Sequence, residues 1–206
     1  MRIAIILFGL LATACNSSKQ WDQRSTQEES TPLTYQDKIL RYQDSMSYDF
    51  TSGNNGVLME KDLETSKDLE YFAPNEEYRV NANFVRLLNG KEFEMKTNTD
   101  RLPHYIEFGQ MHFELKGDSF LLHVYQNVAH PEYLFCPYKD ETNGNESYGA
   151  GRYLDFELSD TLNPIIDFNY SYNPLCAYNY NYSCPIPLDE NYLHTRIEAG
   201  VKKWEH

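Results

Sequence analysis

The 206-residue chain is acidic, with 31 Asp and Glu against 18 Lys and Arg, and its 41% hydrophobic and 15% aromatic content suffices for one folded core. That balance argues against a nucleic-acid ligand, whose phosphates demand Lys/Arg stripes, and against electrostatic docking onto anionic lipid. The apolar run near the start is too short for the roughly 20 residues of a membrane-spanning helix, and no later segment comes close.

Met1-Arg2 precedes an apolar run from Ile3 to Leu11 and the small residues Ala12, Thr13 and Ala14, the pattern of a secretory signal cut before Cys15. It resembles a lipoprotein signal, with Ala12 standing where lipoproteins usually carry Leu and Leu11 one place further out. The resemblance implies a signal peptide over 1–14 and a mature chain acylated at Cys15, exported and lipid-anchored to the bacterial cell envelope. At about 0.8 kcal/mol per buried methylene, stable anchoring takes more than one acyl chain. A signal that is simply cut, releasing a soluble protein, is the competing reading. Residues 15–34 hold little that could be buried and are expected to form a flexible lipidated tether, leaving 35–206 as a single β-rich globular domain.

Tyr35, Ile39, Tyr42 and Met46 recur at i, i+4, i+7 and i+11, which predicts a helix of about three turns with Thr34 as its N-cap. A short second helix is expected over Asp62 to Tyr71, ended by Pro74. From Tyr78 the period changes. Met111, Phe113 and Leu115 alternate with polar residues, Lys116 to Ser119 supply a turn, and Phe120, Leu122 and Val124 alternate on the return, which predicts a β-hairpin. Further strands are expected at Tyr78 to Leu87, Glu92 to Thr97, Tyr105 to Phe108, Tyr133 to Tyr138, Arg152 to Leu158, Ile165 to Phe168 and Leu193 to Ile197. The expected fold is mainly β with an N-terminal helix (α+β), as an antiparallel β-sandwich or a partly open barrel.

Asp140, Thr142, Gly144, Glu146 and Tyr148 to Tyr153 form one ordered block, followed by Asp167-Phe168-Asn169, Tyr172-Asn173-Pro174, Cys176-Ala177-Tyr178, Cys184 to Pro187 and Glu190-Asn191. With Tyr71 to Pro74 and Tyr78-Arg79-Val80, these motifs resemble domain-of-unknown-function family 1684, over most of residues 35–200. The resemblance implies family membership and no activity.

The residues must then supply the chemistry. Arg152 has carboxyl candidates in Asp140, Glu146, Asp155 and Asp167, and a guanidinium clamping one of them would lock two loops together. In the functional version Arg152 grips an anionic ligand group, with Glu146 or Asp167 as acid or base. Asp167, Asn169 and Asn173 either shape turns or contribute to that site. Tyr170, Tyr172, Tyr178, Tyr180 and Tyr182 crowd one loop region, either packing it onto the sheet or lining a groove for a sugar or peptide.

Cys176 and Cys184 are candidates for a disulfide in an oxidising compartment; proteins similar to this one without export signals carry both, which suits buried thiols or a metal equally. Cys136 is expected to be a buried hydrophobe. No zinc-ligand spacing, phosphate loop, dinucleotide fingerprint or Gly-x-Ser-x-Gly is present, so no metal and no cofactor is expected. Two function classes remain. One is a non-catalytic binding or envelope-interaction module that presents the Tyr/Asn-rich loop 167–184 to a glycan, peptide or envelope protein. The other is a hydrolase or isomerase using Arg152 with Glu146 or Asp167 in a small pocket.

Overall fold

Thr34 starts the first helix, α1 (Tyr35–Thr51), through reciprocal bonds: its hydroxyl accepts the Asp37 amide at 3.1 Å, and the Asp37 carboxylate accepts the Thr34 amide at 3.0 Å. These satisfy amides that the first turn would otherwise leave free. The structure is a computed structural model that describes residues 32–51, 57–64 and 68–206; the expected signal peptide, Cys15 and all but the end of the expected tether lie outside the described residues. At 17 residues α1 exceeds the expected three turns, and it buries Ile39, Gln43, Ser47 and Phe50, with Tyr42 and Met46 half-buried beside them. No helix among the described residues is long and apolar enough to cross a membrane.

The second helix differs from expectation. α2 is the four-residue Glu60–Leu63, and Tyr71 is extended, pairing antiparallel with Val201. The Phe72 amide donates to Gly200 at 3.0 Å and the Lys202 amide to Glu70 at 2.8 Å, so pairing with a distant segment overrides a weak local helical period.

Eight strands follow: β1 (Arg79–Arg86), β2 (Glu92–Glu94), β3 (His104–Leu115), β4 (Asp118–Asn127), β5 (Tyr133–Asp140), β6 (Arg152–Glu157), β7 (Ile165–Asp167) and β8 (Tyr192–Leu193). They form one sheet in the order β6-β5-β4-β3-β1-β7, with β2 added to β3 and β8 added parallel to β5; the other pairings are antiparallel. The sheet curls into a half-barrel that stays open between β6 and β7, so the partly open barrel is observed and the sandwich is not.

The central hairpin closes on Lys116 and Gly117 alone. Both have positive φ, 53° and 91°, the conformation of a tight turn that matches strand twist. The stretches expected separately at Tyr105 and Met111 are one strand of 12 residues, with a register shift between Glu107 and Gly109. Gly109 is required there, because a Cβ would lie 2.4 Å from the Phe84 ring. β2 and β8 are shorter than the runs that predicted them.

Alternation along the strands divides the core. Met111, Phe113, Leu122, Val124, Leu134, Cys136, Leu154 and Phe156 join Ile166 and Phe168 on one face. Tyr105, displaced in phase by the register shift, joins Tyr125, Phe135, Tyr153 and Met95 in a second cluster. Phe50 of α1 packs with Val57, Leu58, Leu69, Tyr178 and Val201 in a third. Burying each such side chain contributes roughly 1.5–3 kcal/mol.

Candidate functional site

Arg152, the first residue of β6, is wholly buried, as is its partner Asp140 at the end of β5. Arg152 Nη2 donates to Asp140 Oδ2 and to the Ile197 carbonyl, each at 2.8 Å, and Nη1 donates to the carbonyls of Ala199 and Val201. Asp140 Oδ1 accepts the Thr142 amide at 2.8 Å and the Ile197 amide at 3.2 Å. One ion pair therefore ties two strands and the turn after β5 to the C-terminal segment, and both its side chains are wholly shielded from solvent. Gly151 beside it has φ 105°, and a Cβ there would meet the Tyr138 carbonyl at 2.6 Å. Thr142 and Ser147 share a buried hydroxyl bond of 2.7 Å across the same turn. The motif block from Asp140 to Tyr153 thus encodes a structural staple.

Asn169 and Asn173 are also wholly buried. Asn169 accepts the Asn75 amide and donates to the Asn75 carbonyl, each at 2.9 Å, and donates to Tyr35 Oη at 2.8 Å. Asn173 donates to the Lys202 carbonyl at 2.8 Å and to Tyr178 Oη at 3.2 Å. Tyr178 is 1% exposed, edge-on to Phe50 with ring centroids 5.0 Å apart. Tyr172 packs on Tyr153 and Tyr170 on Tyr42, while Tyr180 points to solvent, so the five tyrosines do not share one groove.

Glu146 lies apart from Arg152. It pairs with Arg196 at 2.5 Å, and that hydrogen bond holds its carboxyl below the usual range. It lines a cavity of about 350 Å³ with Asn145, Lys202, Lys203 and Trp204.

Asp167 lines a different and larger cavity, about 590 Å³, which occupies the opening between β6 and β7. One wall comes from β6 and the turn after it, through Leu154, Asp155, Phe156, Asp160 and Asn163, and its charges are all negative. The facing wall, Tyr35 and Lys38 of α1 with Glu76 and Arg79, carries the only cations of the lining, Lys38 and Arg79. Ile165 and Asp167 of β7 and the ring of Tyr170 complete it. Tyr35 Oη lies 3.0 Å from both Asp167 carboxylate oxygens, and Arg79 Nε lies 3.8 Å from Oδ2. Burial, and then the Asp167 charge, push the Tyr35 hydroxyl well above the ordinary tyrosine range, so it remains a donor. Asp155 accepts Tyr172 Oη at 2.5 Å. The residue as a whole is exposed, yet desolvation of its carboxyl raises the pKa above the ordinary value, with the Tyr172 bond opposing.

Of the residues expected to share a site, then, Asp167 reaches this cavity, Glu146 a second one, and Arg152, Asp140, Asn169, Asn173 and Tyr178 are built into the framework. Lys38, Arg79 and Asp160 were not legible as site residues, because only the curl of the sheet brings them together. Among the described residues, no cluster of His, Cys, Asp and Glu could hold a metal ion.

Cys136, Cys176 and Cys184 are free thiols, and the expected bridge between Cys176 and Cys184 is not formed. The turn at 175–177 instead presents the Cys176 amide to Cys184 Sγ at 3.2 Å, leaving the sulfurs neighbours without disulfide geometry. A hydrogen bond from the Cys176 thiol, helped by that amide and by Arg101, pulls the Cys184 thiol down to about 7 against the effect of burial. The same bond pushes Cys176 up.

The solution NMR structure of the uncharacterized protein from gene locus rrnAC0354 of Haloarcula marismortui is similar to this one, with 31% identity and a TM-score of 0.64 over 80% of this chain and 92% of that chain. Among curated proteins, none matches. A family model described as Protein of unknown function (DUF1684) matches residues 64–202, which contain the whole staple and both edges of the open sheet. On this match and that structural likeness, the chain belongs to the DUF1684 family.

Proposed function

We propose that this protein is a lipid-anchored, extracytoplasmic binding module of the bacterial cell envelope, and that its ligand site is the cleft between β6 and β7. The anchoring half of the proposal rests on residues 1–15: a positive start, an apolar run, small residues and then Cys15. The binding half rests on one observation, a cleft of about 590 Å³ whose lining combines apolar side chains, a tyrosine pair and charges of both signs. Pockets of 300–1,000 Å³ with a few convergent polar groups are the usual seats of small ligands. The Tyr/Asn-rich loop contributes Asp167 and Tyr170 to this cleft, while its remaining members hold the loop in place.

Asp155, a carboxyl held above its ordinary range in a cavity, favours a second reading in which the cleft performs acid–base chemistry as a hydrolase or isomerase. Binding is preferred because Arg152, Glu146 and Asp167 do not converge. Two measurements test the proposal. Growth with labelled palmitate should label the wild-type chain and leave Cys15→Ala unlabelled. Amide shift mapping with soluble sugars, amino acids and short peptides should find a saturable ligand at Tyr35, Asp155 and Asp167; an inert cleft would refute the binding reading.

A further inference from the structure

The cleft is bordered by two strand edges whose backbone groups are turned toward it. Tyr153 of β6 exchanges both backbone bonds with Tyr172, at 2.9 and 3.1 Å, so Tyr153 faces away from β5. Because antiparallel pairing alternates, Asp155 faces the same way, two residues along. On the other side, the Ala82 amide donates to the Pro164 carbonyl at 2.9 Å, which makes that pair the inward one and turns Ile165 and Asp167 of β7 outward from β1. Asp155, Ile165 and Asp167 all line the cleft. Among the described residues the backbone groups of Asp155 and Ile165 and the Asp167 amide make no turn or loop hydrogen bond, while the Asp167 carbonyl caps the turn at 168–170. Edges of this kind accept an extended backbone.

Charge is arranged across the same space. Asp155 and Asp160 stand on the β6 wall, and Lys38 and Arg79 on the α1 and β1 wall, where Glu76 also lies and Asp167 stands 3.8 Å from Arg79. Lys38 makes no ion pair among the described residues. An uncharged polyol would hydrogen-bond to both sets but leave their charges unneutralised. A molecule with an ammonium and a carboxylate separated by extended backbone would use both, and a tripeptide spans about 10 Å at the strand rise of roughly 3.3 Å per residue.

We infer that the cleft binds a short peptide with both termini free, its ammonium toward Asp155 and Asp160, its carboxylate toward Lys38 and Arg79, and its backbone along the open strand edges. This deepens the binding reading and rests on it. The cleft is closed along the chain by the turn after β6 and by the Tyr153–Tyr172 bridge, which favours a short peptide over a strand of a folded partner.

The test is titration of the full chain with trialanine, N-acetyl-trialanine and trialanine amide, followed by amide shifts at Asp155, Ile165 and Asp167. Trialanine should bind, and blocking either terminus should weaken it about tenfold, the equivalent of one lost charge contact. Lys38→Ala, at an exposed position on α1, should weaken trialanine to a similar degree while leaving the amide form unaffected. Equal binding of free and blocked peptides would overturn the inference and leave the binding reading standing. So would a sugar that perturbs the cleft when trialanine does not. Silence from peptides and sugars alike would overturn both.

Discussion

Arg152 and Asp140, 12 positions apart at opposite ends of a hairpin-like excursion, form a fully buried ion pair at 2.8 Å; the carbonyls of 197, 199 and 201 meet the Arg152 Nη donors, the Thr142 and Ile197 amides meet Asp140 Oδ1, and Arg152 Nε has no partner among the described residues. Such a pair stabilises little over an apolar replacement but is costly to break from one side, since the remaining charge stays buried. Asp140→Asn is therefore expected to lose about 3–5 kcal/mol in urea unfolding. Arg152→Met, which removes the guanidinium itself, should cost less in combination with Asp140→Leu than Asp140→Asn does alone.

Gly151 and Gly117 share the left-handed backbone region, with φ of 105° and 91°, but differ in what surrounds them. A Cβ at Gly117 meets nothing within 4 Å, whereas at Gly151 it meets the Tyr138 carbonyl at 2.6 Å and Pro187 Cγ at 2.8 Å. Gly117→Ala should cost about 1 kcal/mol from backbone strain alone. Gly151→Ala should exceed it by about 2 kcal/mol, since neither backbone nor a proline ring yields easily. Paired thermal melts read the difference.

Asp155 connects the cleft to pH. Its carboxyl pKa is raised by burial in the folded chain. As pH rises past the ordinary carboxyl value of about 3.9, the unfolded chain releases the proton first and folding weakens until the raised folded value is passed. The contribution is thus fully present at acid pH and lost on the way up. Asp155→Asn should be stabilising above that window and should flatten this part of the stability profile, as chemical unfolding at several pH values would show. An unchanged slope would mean that the carboxyl is freely solvated.

Cys184, pulled down to about 7, should react with iodoacetamide faster than Cys136 once access is allowed, with a rate that climbs through neutral pH. Cys136 is wholly buried and its thiol is pushed up by desolvation, so it should stay inert in the native state. Replacing Cys176 by Ser leaves a hydroxyl as the donor, and the midpoint for Cys184 should shift modestly. Loss of alkylation at both Cys176 and Cys184 after mild oxidation, restored by reductant, would show that the neighbouring thiols close into a bridge in the oxidised protein.

Local features were legible because they depend on local spacing. The i, i+4, i+7 stripe announced α1, and Thr34 announced its start. Alternation around Lys116-Gly117 announced the hairpin. The expected helix over Asp62–Tyr71 failed at Tyr71, whose extended backbone is held by residues 130 positions away in the chain, beyond the reach of any periodicity.

The sequence by itself determined the acidic composition, the order of apolar run, small residues and Cys15, the strand-forming alternation and the motif order that marks the family. Only the tertiary structure decided which of four carboxylates meets Arg152, since Asp140, Glu146, Asp155 and Asp167 are equivalent as acids and differ only in where the sheet carries them. It also decided the cleft. An opening between the two edge strands of a curled sheet belongs to the curl, because Asp155 comes to face Arg79 and Asp167, themselves partners across β1 and β7, only when β6 and β7 are turned toward each other.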